Sequence, residues 1–152
     1  MFGSTKEVQT VLRHIIDKLL ALKPVYKMEY NGTVFYVDAY TAFAVEKDHD
    51  FIKCEEAPET TKHNMLKMLS DPTLRQCVDT GELRDIGSKT IKKVRIFKSE
   101  SGQEFGINED YFKLIPKHYS KLKVPENLTL LIAYEYDIPV AVIACVRIQK
   151  KG

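Results

Sequence analysis

The side chains that could do chemistry in this chain are four histidines, three cysteines and 21 carboxylates. His14, His49, His63 and His118 show no i, i+4 spacing to another His, Cys or Glu in a recognised metal pattern. His49 and Cys54, five residues apart, form the one pair that could be read as ligands or as nucleophile and base. The plainer reading is a surface histidine and a half-buried thiol. Cys145 sits in an apolar run and reads as core packing. Asp38 ends an apolar run before Ala39-Tyr40-Thr41. It is either a functional acid or a carboxylate that closes a turn, and turns favour Asp at that place. No G-x-S-x-G, phosphate loop, G-x-G-x-x-G or H-E-x-x-H occurs. No metal or cofactor is therefore expected, and no catalytic residue stands out.

The basic residues are better grouped. Arg84, Lys89, Lys92, Lys93, Arg95 and Lys98 face Asp85 alone, and Lys113, Lys117, Lys121 and Lys123 follow with no acid between Tyr111 and Lys123. One reading is a solvated lysine face. The other is a surface that tracks phosphates, since point charges attract a polyanion without reading its sequence.

The chain has 152 residues, a size that suits one domain over 1–152. Its hydrophobic content is 44%, its charged content 29% and its net charge +2, so composition gives no strong pull towards nucleic acid or membrane. No run of 18 apolar residues is present, so no membrane span is expected. Residues 1–22 lack the apolar stretch of a signal peptide. An odd number of cysteines without C-x-x-C spacing fits free thiols in a reducing cytoplasm.

The elements that position these residues follow from periodicity. Ser4 and Glu7 form a capping box, and apolar residues at helical spacing predict a helix over 4–22 that ends before Pro24. Strand-like runs follow at 25–30, 33–38 and 42–46, the first two joined by Asn31-Gly32, a type I′ hairpin signal. A short helix is expected near 61–69. Asp71-Pro72 suggests another helix start, ended at Thr80-Gly81. Residues 91–97 and 103–107 read as strands. Asn108 should cap an amphipathic helix over 108–123, kinked at Pro116. Apolar strands at 128–136 and 140–148 close the chain.

A helix followed by a meander, used twice, gives an α+β fold of two similar halves, about 1–47 and 91–152. A connection over about 48–90 carries extra small helices. That pattern resembles a single domain of the DNA sliding clamp family, the bacterial β-clamp type. The local likenesses are Asn31-Gly32-Thr33-Val34-Phe35-Tyr36-Val37-Asp38-Ala39-Tyr40, Phe105-Gly106-Ile107-Asn108-Glu109-Asp110-Tyr111-Phe112, and the closing hairpin that ends Ala-Cys-Val-Arg-Ile. The resemblance implies two helices lining one face of curved antiparallel sheets and meeting DNA phosphates. Carried over by position, the DNA-binding residues are Lys6, Arg13 and Lys18 on the first helix and Lys113, Lys117 and Lys121 on the second. It implies a non-enzymatic, cytoplasmic module of DNA replication or repair, of the kind that a phage or mobile element can encode. Duplex DNA, a replication or repair protein, or further copies of the chain would be its partners. The alternative is a protein-binding regulator that does not touch DNA, marked by an apolar patch with an acidic border such as residues 55–59. A third reading, a small enzyme, requires a concave pocket that gathers Asp38, His49 or His63 with a second polar group.

Overall fold

The computed structural model describes residues 26–38, 40–46, 54–115 and 119–148. The 4–22 helix, and with it Lys6, Arg13 and Lys18, lies outside these residues, as does Lys117.

Asn31 and Gly32 take φ of 47° and 80°, the double positive φ of a type I′ turn. They join β1 (Tyr26–Tyr30) to β2 (Thr33–Val37), with Met28 opposite Phe35 in register. The next reversal is made by Asp38. Its Oδ1 accepts the amides of Tyr40 and Thr41, each at 2.8 Å, and the Thr41 hydroxyl at 3.0 Å. A carboxylate bound this way fixes the turn into β3 (Thr41–Glu46), and the turn-closing reading of Asp38 is the one its contacts support.

After the two-residue β4 (Glu55–Glu56) comes α1 (Glu59–Leu69), which turns Met65 into the core. No helix starts at Asp71-Pro72, and the expectation of one there is corrected. The Asp71 carboxylate binds both the amide and the hydroxyl of Thr73, at 2.8 and 2.7 Å, which stabilises a tight turn in place of a helical one. The chain then runs extended as β5 (Arg75–Gln76) and β6 (Val78–Arg84). Gly81, at φ +77°, sits in an irregularity of β6 and terminates no helix. β7 (Val94–Lys98) and β8 (Glu104–Asn108) complete a three-stranded sheet in the order β6-β7-β8.

Among the described residues of the amphipathic segment over 108–123 there is a single helical turn, α2 (Glu109–Phe112), capped by Asn108. Pro116 explains the loss. Proline disfavours the helical conformation of the residue before it and cannot donate the helical bond. Lys121-Leu122-Lys123-Val124 then alternates, with Leu122 and Val124 buried, and becomes strand β9 (Lys121–Val124). β10 (Leu130–Glu135) and β11 (Ile138–Ala144) follow, nearly all buried.

Among the described residues the larger sheet has eight strands in the order β4-β1-β2-β3-β11-β10-β9-β5. Its centre is the antiparallel β3–β11 pair, with Ala42 opposite Val142. Both sheets share one core: Phe35, Tyr36, Phe43, Leu131, Ile132 and Ile143 from the larger, Phe97, Phe105 and Ile107 from the smaller. Strands hold 48% of the described residues and helices 14%. The expectation of an α+β, clamp-like fold of two helix-plus-meander halves is therefore overturned. The described residues are mainly β, and those of the second half's expected helical segment form one turn and a strand.

Candidate functional site

The basic surface starts from α2. The Asn108 carbonyl side chain accepts the Asp110 amide at 3.0 Å, which caps the turn. Glu109 is turned inward and is 5% exposed. Its carboxylate receives two bonds from Arg95 on β7, Nε to Oε1 at 2.9 Å and Nη2 to Oε2 at 2.7 Å. The remaining Arg95 nitrogen, Nη1, reaches Asp79 on β6 at 3.1 Å. The guanidinium also lies 5.0 Å from the centre of the Phe112 ring. Phe112 in turn packs edge-on against Phe97 and Tyr119. The Glu109 hydrogen bond, first, and then the charges of Asp79 and Glu109 hold the Arg95 pKa above its ordinary value, against the opposing effect of burial.

With its inner side locked, α2 is flanked by exposed lysines. The Glu109 amide donates to the Lys93 carbonyl at 3.0 Å, and the Glu109 carbonyl accepts the Lys113 amide at 3.0 Å. Lys93 and Lys113, twenty positions apart in sequence, thus each bond through their backbone to Glu109, and both are exposed, as is Lys92. Asp110 is the acid beside them. The two arginines of the 84–98 run are used internally. Arg95 is in the triad just described, and the Arg84 guanidinium lies 2.7 Å from Glu82 and 3.6 Å from Glu104. Lys89 and Lys98 are exposed.

Of the DNA-binding residues expected from sequence, Lys113 joins this group. Lys121 does not lie on a helix. It stands on β9, where its Nζ meets Asp137 at 2.6 Å and holds that carboxyl below its usual pKa. Lys92 and Lys93 are the addition that the structure makes to the expected set. Their run is visible in the sequence as charge, but the backbone bond of Lys93 to α2 depends on tertiary pairing.

No protein-family model, curated protein or solved structure matches this chain.

The other chemistry-bearing groups are occupied with structure. Cys77 and Cys145 are free, and burial pushes each thiol up to about 12, with Asp79 adding to the effect at Cys77 and Cys77 at Cys145. A thiol held protonated is neither a nucleophile nor a metal ligand. His49 lies outside the described residues, so the His49–Cys54 spacing has no geometry to report. The groove beside Asp38, about 390 Å³, is walled on one side by Thr61, Asn64, Met65 and Met68 of α1. His63 is exposed on that helix and is not one of its walls. Among the described residues no group of three His, Cys, Asp or Glu could hold a metal ion, and no helix is long and apolar enough to cross a membrane.

The acidic border suggested for a protein-binding patch is also tied down. Glu56 pairs with Lys62 of α1 at 2.9 Å, and Ala57 is buried. The most exposed large apolar side chain among the described residues is instead Tyr136, 77% exposed, with Ile138 at 45%.

Proposed function

We propose that this chain is a non-enzymatic module that makes weak, sequence-independent contact with duplex DNA through Lys92, Lys93 and Lys113. The observation that carries the reading is the exposure of Lys92, Lys93 and Lys113, with the Lys93 and Lys113 backbones each bonded to the Glu109 backbone. Ammonium groups so placed lower the energy of a phosphate backbone by displacing its counterions, and they carry no base-reading geometry. The triad behind them contains two carboxylates and one guanidinium, so one negative charge is left in excess. That excess and Asp110 reduce the local potential and keep the contact weak. The proposal rests on the lysines alone and invokes no ring.

The second reading is a protein-binding regulator that leaves DNA alone. It draws on the exposed Tyr136 and Ile138, since exposed tyrosine beside an aliphatic side chain is typical of energetically important contact residues.

Titration of the chain with duplexes of unrelated sequence at several salt concentrations separates the two. The DNA reading expects equal affinities for all duplexes and a fall in log affinity of about two to three per decade of salt, for about three phosphate contacts. Binding absent at low salt removes it and leaves the regulator.

A further inference from the structure

A hollow of about 570 Å³ lies where three turns meet. One turn runs from α1 to β5, one joins β7 to β8, and one joins β9 to β10. The hollow sits at the end of the β7–β8 pair where Lys98 faces Glu104, whereas Lys93 and α2 lie beyond Val94 and Asn108 at the other end. The turns are fixed from within. Thr73 Oγ1 accepts the Glu126 amide at 3.0 Å, which ties the first turn to the third. In the second, the Ser99 amide donates to the Gln103 carbonyl at 2.8 Å, and the Gln103 amide to Ser99 Oγ at 3.2 Å. Leu128 takes a positive φ of 54°, which a bulky residue keeps only where its surroundings impose it.

The apolar part of the wall is Val124, Pro125 and Leu128, the first two buried. The charged part is Arg75, Glu100 and Glu126, all exposed. Arg75 is anchored, because its Nη1 donates to the carbonyls of Pro72 and Leu74 at 3.1 and 2.8 Å. That leaves Nε and Nη2 without a partner among the described residues. These two nitrogens form an edge of the guanidinium that can bind a carboxylate through two parallel bonds. Glu100 and Glu126 have no ion-pair partner among the described residues either.

A plain anion in this hollow would face two carboxylates, and a plain cation would face a fixed guanidinium. A ligand with one charge of each sign and an apolar body answers all three parts of the wall. The volume is that of a drug-sized ligand, which about two to three residues of peptide reach and a single amino acid does not. We propose that the hollow binds a short peptide with apolar side chains and free ends. Its carboxylate pairs with the open edge of Arg75, its ammonium with Glu100 or Glu126, and its side chains lie on Val124, Pro125 and Leu128. The turns are already fixed, so the ordering cost of binding is small. The charged groups are exposed, so each pairing adds little and the affinity is low.

Isothermal titration calorimetry of the full chain with Leu-Ala-Leu, its N-acetyl form and its C-terminal amide tests this. The free peptide should bind the wild type with a dissociation constant of about 0.1 to 1 mM. Either cap should weaken it at least about threefold, since each removes one exposed ion pair. In Arg75→Ala the amide should bind as well as the free peptide. In Glu100→Gln/Glu126→Gln the acetyl form should do so. Unchanged far-UV circular dichroism shows that the variants fold, and the capped peptides test the wild type with no substitution at all. No binding of the free peptide up to about 10 mM overturns the proposal. Caps without effect on the wild type, or caps whose effects persist unchanged in the variants, overturn it as well. The lysines of the DNA reading are intact in every protein used, so either reading can fail without the other.

Discussion

Arg95 and Glu109 are joined by two near-parallel charge-assisted bonds, 2.9 and 2.7 Å long, that tie a strand of the small sheet to a one-turn helix. A helix of four residues has no stability of its own. Its position is therefore set by this pair, by the Asn108 cap and by Phe112. Everything outside it, including the spacing of Lys93 and Lys113, inherits that placement.

Glu109→Ala should consequently cost stability out of proportion to its size. Removing one partner of a largely buried pair leaves the other charge uncompensated, and about 3 kcal/mol is expected. Asp79 remains to accept from Arg95 and softens the loss. Urea unfolding followed by circular dichroism measures it. Arg95→Ala should cost a similar amount, and the double variant less than the sum, because the two side chains act as one unit. Strict additivity would mean that the pair is not coupled.

Gly106 on β8 is a second point of tight packing. A Cβ there would collide with Val94 Cγ1 and stand 2.8 Å from Ile148 Cγ2. The close approach lets Val146 bond its amide to the Gly106 carbonyl at 2.8 Å, so the segment after β11 crosses β8 directly. Gly106→Ala should destabilise the chain by about 2 kcal/mol, since Val94 is fully buried and its branched side chain has little room to give. Thermal unfolding with a midpoint equal to wild type would show that the segment does not lie there.

The thiols give a prediction about pH. Cys77 and Cys145 are raised in the folded chain to about 12, from an ordinary value near 9. A folded pKa raised in this way means that the folded state holds its proton more tightly than the unfolded one. The contribution is fully present below pH 9 and is lost progressively as the pH climbs from about 9 towards about 12. Stability measured by urea unfolding should thus fall across that window, and less steeply in Cys77→Ala/Cys145→Ala. At pH 8 both thiols should contain about a thousandth of the thiolate of an ordinary cysteine and alkylate correspondingly slowly until the chain is unfolded. Rapid alkylation of either in the native protein would contradict their burial.

How much of this was legible in the sequence depends on how local each cause is. Asn31-Gly32 announced its hairpin because the turn needs positive φ at two consecutive residues, a requirement that two side chains express by themselves. The apolar runs of β10 and β11 were equally plain. The 108–123 segment misled because its apolar residues fit both a helix and a turn followed by a strand. Pro116 and the alternation of Lys121 to Val124 were the signals that favoured the strand. At Asp71-Pro72 the helix-start pattern and the tight turn use the same residues, and the bond from Thr73 decided between them. The bond between the Lys93 carbonyl and the Glu109 amide could not be read at all. It follows from the register of β7 on β8, which places Val94 opposite Asn108 and so puts Lys93 against the first residue of α2. Lys121 left the expected DNA-binding set for the same kind of reason: its partner, Asp137, is sixteen residues away in the next hairpin.

The most direct test of the DNA reading is the affinity of one random-sequence duplex for the wild type and for Lys92→Glu/Lys93→Glu/Lys113→Glu, measured by fluorescence anisotropy from low to physiological salt. All three side chains are exposed, so the variant should fold as the wild type does. The account predicts weak binding by the wild type that steepens as salt is removed, and a loss of at least about a hundredfold at low salt in the triple variant, with the salt dependence largely abolished. Equal affinity and an equal salt slope in the two proteins would contradict it.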